Sequence, residues 1–73
     1  MNQSAIIHCK PEYLSEAKEL ELDYTINEEL DGEVDIKVPD VEYDPEGYYV
    51  DRGEQLCDYY GIDFDQVNHM EWV

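Results

Sequence analysis

Two runs of strict period-two alternation constrain this chain more than any other feature. Leu20, Leu22, Tyr24 and Ile26 alternate with Glu21, Asp23 and Thr25, and Val34, Ile36 and Val38 alternate with Glu33, Asp35 and Lys37. A helix places side chains at a period of 3.6, so each run reads as a strand with one buried face. Residues opposite one another in a hairpin share a face, which pairs Ile26 with Val34, Tyr24 with Ile36 and Leu22 with Val38. That register sets Asp23 opposite Lys37, an ion pair, whereas a two-residue turn at Asp31-Gly32 would set Ile26 against Lys37. The longer loop is therefore expected.

Shorter signals place the remaining elements. Ser4 to Cys9 reads as a short N-terminal strand, and Pro11 suits the first turn of a helix reaching Lys18 with Leu14 and Ala17 inward. Asp44-Pro45-Glu46-Gly47 has the proline and glycine of a type I turn, joining Val41-Glu42-Tyr43 to Tyr48-Tyr49-Val50. Pro39 predicts a bend where the middle strand leaves one neighbour and meets the next. Asp51 to Glu54 and Asp63 to Gln66 have the spacing of helix caps, with Gly61 as the stop between them. The first of these helices packs Leu56 with Tyr59 or Tyr60, and the second packs Phe64, Val67 and Met70. The expected fold is α+β: one domain over 1–73, with a three-stranded antiparallel meander, a fourth N-terminal strand where Ser4 to Cys9 joins it, and two to three short helices.

Charge then narrows the function. With 20 Asp and Glu against 4 Lys and Arg in 73 residues, the formal net charge is −16. Such a surface repels phosphate backbones and anionic headgroups, which argues against direct nucleic-acid or membrane binding. The apolar run Ala5-Ile6-Ile7 is too short for a signal-peptide core or a membrane span, so a cytoplasmic protein with Cys9 and Cys57 as free thiols is expected. The pair of C-terminal helices has a helix-turn-helix outline, but Phe64 to Trp72 offers no Lys or Arg to phosphates.

The motifs for chemistry are sparse. His8, Cys9, Cys57 and His69 are zinc-ligand types without ligand spacing. Asp40, Glu42 and Asp44 imitate the first ligands of a calcium loop, but Pro45 stands where the sharp turn needs Gly, leaving only loose cation binding to carboxylates. No phosphate loop or nucleophile motif is present, so neither an enzyme nor a cofactor is expected.

The carboxylates themselves are patterned. Glu21, Asp23, Glu33, Asp35, Asp40, Glu42 and Asp44 fall on the alternation opposite the apolar residues, with Glu46 in the turn and Tyr49 pointing outward among them. Such rows of like charge oppose folding, as do Glu12, Glu16 and Glu19 at helical spacing, and they mimic the charge pattern of a nucleic-acid backbone. In size, acidity and tyrosine content the chain resembles the DNA-mimic inhibitors of phages and mobile elements: anti-CRISPR, anti-restriction and DNA-glycosylase-inhibitor proteins. The resemblance implies a protein, in the host cytoplasm if phage-encoded, that fills the nucleic-acid channel of a basic nucleic-acid-binding protein or nuclease complex. The nine residues Glu21, Asp23, Glu33, Asp35, Asp40, Glu42, Asp44, Glu46 and Tyr49 would meet that partner. An acidic adaptor or assembly subunit that docks on a basic partner without blocking nucleic acid is the alternative, and the composition is also compatible with a homodimer.

Overall fold

The computed structural model describes residues 4–41 and 51–73. These residues form an α+β fold in which one four-stranded antiparallel sheet carries two α-helices. In chain order the strands are β1 (Ser4–Cys9), β2 (Tyr24–Asn27), β3 (Glu33–Pro39) and β4 (Val67–Trp72), and the helices are α1 (Leu14–Glu19) and α2 (Arg52–Tyr60). The strand order across the sheet is β2-β3-β1-β4.

The β2–β3 hairpin has the register that the alternation dictates, with Tyr24 opposite Ile36 and Ile26 opposite Val34. Lys37 N–H donates to the Asp23 carbonyl at 3.0 Å, continuing that register one residue beyond the strand. The connection is the longer loop: a 3-10 turn over Glu28–Leu30, capped by the Asn27 side chain, then Asp31 in the left-handed region at φ 56°. Leu20 and Leu22 lie outside the strand yet still pack on the core. Glu21, between them, turns the chain at φ 57°.

β1 is the expected fourth strand. It lies beside β3 along its whole length, from Ser4 opposite Pro39 to Cys9 opposite Val34. The run Ala5-Ile6-Ile7-His8-Cys9 suits this central placement, because β1 is largely covered on both faces and such strands favour near-continuous apolar sequence. The hairpin expected around Asp44-Pro45-Glu46-Gly47 lies outside the described residues.

The C-terminal segment is a correction. Asp63 does cap a turn, its side chain accepting from Asp65 N–H, but that turn is 3-10 and ends at Gln66. The chain then runs as β4 along the free edge of β1. Strand pairing satisfies a row of backbone groups on β1 that a helix would leave open, and this outweighs the local helix signal. Among the described residues no helix-turn-helix forms.

Both helices cover one face of the sheet. Ala17 of α1 and Leu56 and Cys57 of α2 are fully buried against Ile7, Val34 and Ile36. α2 is bounded as its sequence requires, with the Asp51 side chain accepting from Gly53 N–H and Gly61 taking φ 76° at the C-cap. A Cβ on Gly53 would come within 2.6 Å of Met70 Sδ, so glycine lets α2 approach β4. Tyr60 packs on the core while Tyr59 is exposed. Among the described residues no helix is long and apolar enough to cross a membrane.

Cys9 and Cys57 are both free and buried. Burial pushes their thiol pKa values up to about 11 and about 12. Since the thiolate is the reactive form, neither should react with a disulfide reagent at pH 8 in the folded protein, and both should react at once in guanidinium. Rapid labelling of either thiol in the native state would contradict this packing.

Candidate functional site

The sheet face turned away from the helices is organised by His8. In the β1–β3 register His8 lies opposite Asp35, and in the β1–β4 register it lies opposite His69. A bulge follows at once, since Cys9 pairs with Val67 and Asn68 is the extra residue. Bulges re-aim side chains. Here Asn68 Nδ2 donates to Glu33 Oε1 at 3.4 Å, and the His69 ring stacks on the His8 ring with centroids 4.0 Å apart.

His8 is 6% exposed and Glu33 5%. His8 Nδ1 lies 2.8 Å from both Glu33 Oε2 and Asp35 Oδ1. A carboxylate only accepts, so the imidazole carries a proton on Nδ1. Burial alone would depress the His8 pKa, but its contacts with Glu33 and Asp35 outweigh that and hold it above the ordinary histidine value. Burial also pushes both acids upward. For Glu33, hydrogen bonds from His8, the Asp35 side chain and Asn68 reverse the effect and hold it below the ordinary value. For Asp35, the neighbouring Glu33 adds to burial and the value stays raised.

This arrangement changes the expected acidic face. Glu33 and Asp35 do share the outer side, but Glu33 is buried, Asp35 is largely covered, and both are tied to His8. The reason is β1, which inserts a histidine opposite the very carboxylates that the β2–β3 hairpin would otherwise leave in solvent. Lys37, also exposed, interrupts the row on β3. Asp40 is turned toward Arg52, which forms an ion pair with it, donates to the Gln55 side chain at 2.6 Å, and lies over the Trp72 ring. Asp23 and Glu21 are exposed, and Asp23 lines a hollow with Ile6, Thr25, Asp35 and Lys37. Glu42, Asp44, Glu46 and Tyr49 lie outside the described residues.

The helical side carries a group of carboxylates without a counter-charge. Glu12, Glu16 and Glu19 are exposed at helical spacing on the first helical segment and α1, and Asp63 and Asp65 are exposed beyond α2. Among the described residues none of these has a cation within ion-pair distance. Glu12, Glu16 and Asp63 converge on one open groove, floored by Tyr13 and bordered by Gly61 and Gln66. Tyr13 is buried, and its hydroxyl accepts from Asp63 N–H at 3.0 Å, which fixes α1 to the turn before β4.

Of the four zinc-ligand candidates, His8 and His69 stack on each other on the outer face, while both cysteines are buried in the core on the other side. No family of proteins, curated protein or solved structure matches this chain.

Proposed function

We propose that this protein is an acidic inhibitor that occupies the nucleic-acid-binding surface of a basic nucleic-acid-binding protein. The observation that carries the reading is the group of uncompensated carboxylates on the helical side, in a chain of net charge −16. Glu12, Glu16 and Glu19 at three- and four-residue spacing put their Cβ atoms about 5 to 6 Å apart on one helical face. Like charges so placed destabilise the helix, so a fold that retains them supports a role for them outside the fold. A channel built for phosphates offers the complementary field, and such complementarity speeds association and excludes wrong partners.

The helical side suits this role better than the outer sheet face, where Glu33 and Asp35 are tied to His8 and Lys37 breaks the row of carboxylates. Affinity for the basic partner should fall at least tenfold between about 0.1 and 1 M salt, as the Debye length shrinks from about 10 Å to about 3 Å. An affinity that stays flat across that range would exclude electrostatic mimicry.

A further inference from the structure

His8 leaves one ring nitrogen that nothing so far uses. Its Nε2 atom is buried and has no hydrogen-bond partner among the described residues. The nearest charge is Glu71 Oε1 at 3.4 Å, off the line of a hydrogen bond, and the His69 ring lies stacked alongside. With one proton held on Nδ1 by Glu33 and Asp35, Nε2 is where the charged ring carries its second proton, and a metal ion that displaces this proton finds a lone pair aimed at Glu71. Buried polar atoms are nearly always satisfied, and a lone pair facing a carboxylate calls for a cation between them.

We propose that His8 Nε2, His69 and Glu71 bind one divalent cation of the zinc class. Glu33 and Asp35 orient His8 from behind. The donor atoms of the three residues already lie within 4.8 Å of one another. A tetrahedral site with bonds of about 2.0 to 2.1 Å separates its donors by about 3.3 Å and takes each imidazole in its ring plane, so His69 must swing out of its stack on His8 to close it. His69 and Glu71 are exposed and free to make that movement, while buried His8 stays fixed. Two imidazoles and one carboxylate suit zinc and its neighbours, whereas calcium and magnesium take oxygen ligands. A histidine that ligates through one nitrogen and donates to a carboxylate through the other has the outer support that fixes ring orientation and raises ligand basicity. The open side leaves the fourth position to solvent.

The site is independent of the inhibitory reading, and it involves the only two histidines of the chain. Calorimetric titration of the full chain with zinc chloride, and separately with calcium chloride, tests it at about 0.15 M salt, where diffuse attraction to carboxylates is screened. One zinc per chain should bind saturably and at least tenfold more tightly than calcium, and the ring resonances of both His8 and His69 should shift in proton NMR. His69→Ala and Glu71→Gln, surface changes on an edge strand, should each weaken zinc by at least about tenfold. Glu16→Gln and Asp63→Asn, on the other side of the domain, should leave zinc affinity unchanged. Equal affinity for zinc and calcium, or full zinc affinity in both His69→Ala and Glu71→Gln, would overturn the site and leave a proton as the partner of Nε2.

Discussion

Replacing His8 with leucine should destabilise the domain by about 3 to 5 kcal/mol, the usual result of removing one partner from a buried ion pair. Glu33 and Asp35 would then face each other beside an apolar side chain, with Asn68 as the remaining donor to Glu33. At roughly 0.05 to 0.15 kcal/mol per residue, a 73-residue domain has about 4 to 11 kcal/mol in total, so much of the population should unfold. Leucine itself is tolerated by a central strand, and the uncompensated carboxylates carry the penalty. The triple variant His8→Leu, Glu33→Gln, Asp35→Asn should therefore recover most of the loss in urea unfolding. Failure of the triple variant to recover stability would show that the ring's shape, and not its charge, holds the cluster.

The same cluster sets a pH dependence, measured in chelator to keep metal out. His8 has a folded-state pKa above its ordinary value, so its contribution is fully present below about pH 6.5 and is lost as pH rises through the folded-state value. Glu33 has a lowered value, so its contribution is present above the ordinary glutamate range and is lost as pH falls through the folded-state value. Asp35, raised, follows His8 in sign. Stability should peak in mildly acidic solution, and the fall that begins above about pH 6.5 should vanish in His8→Leu, leaving only the loss that the buried thiols of Cys9 and Cys57 bring at higher pH.

Reversing Glu12 and Glu16 to lysine should abolish binding to the basic partner. The control is Glu21 and Asp23, exposed and outside the lining of that groove, because their reversal changes net charge by the same +4. If the groove of Glu12, Glu16 and Asp63 is the docking surface, the first pair should cost at least a hundredfold in affinity and the second less than tenfold. Such a ratio follows from local complementarity, since rim charges act chiefly through the long-range field and are screened by salt. Equal losses from two folded variants would mean that total charge alone drives association.

The parts of the fold legible in the sequence are those set by neighbours a few residues apart. The β2–β3 register follows from alternation and from Asp23 against Lys37, and both ends of α2 follow from Asp51 and Gly61. Asp63 misleads for the same reason: its cap is real, but a cap sets only one turn. Whether Val67 onward continues as helix or pairs as strand depends on the free edge of β1, some sixty residues earlier in the chain. The site inherits that difference. His8 and His69 become neighbours only once β4 is a strand, and Glu33 becomes buried only once β1 lies beside β3. One signal was available in advance: His8 sits on the polar alternation of an otherwise apolar run, the position of a side chain facing the outer carboxylates.

Competition with nucleic acid tests the central claim most directly. A basic protein captured on the immobilised chain from the cells that express it would be loaded with a fluorescent oligonucleotide and titrated with the free chain while anisotropy is read. Mimicry predicts that the oligonucleotide is displaced one for one, that the midpoint rises with oligonucleotide concentration, and that the Glu12→Lys, Glu16→Lys variant displaces none. A ternary complex, with anisotropy rising as the chain binds beside the oligonucleotide, would contradict the account and identify the protein as an acidic adaptor.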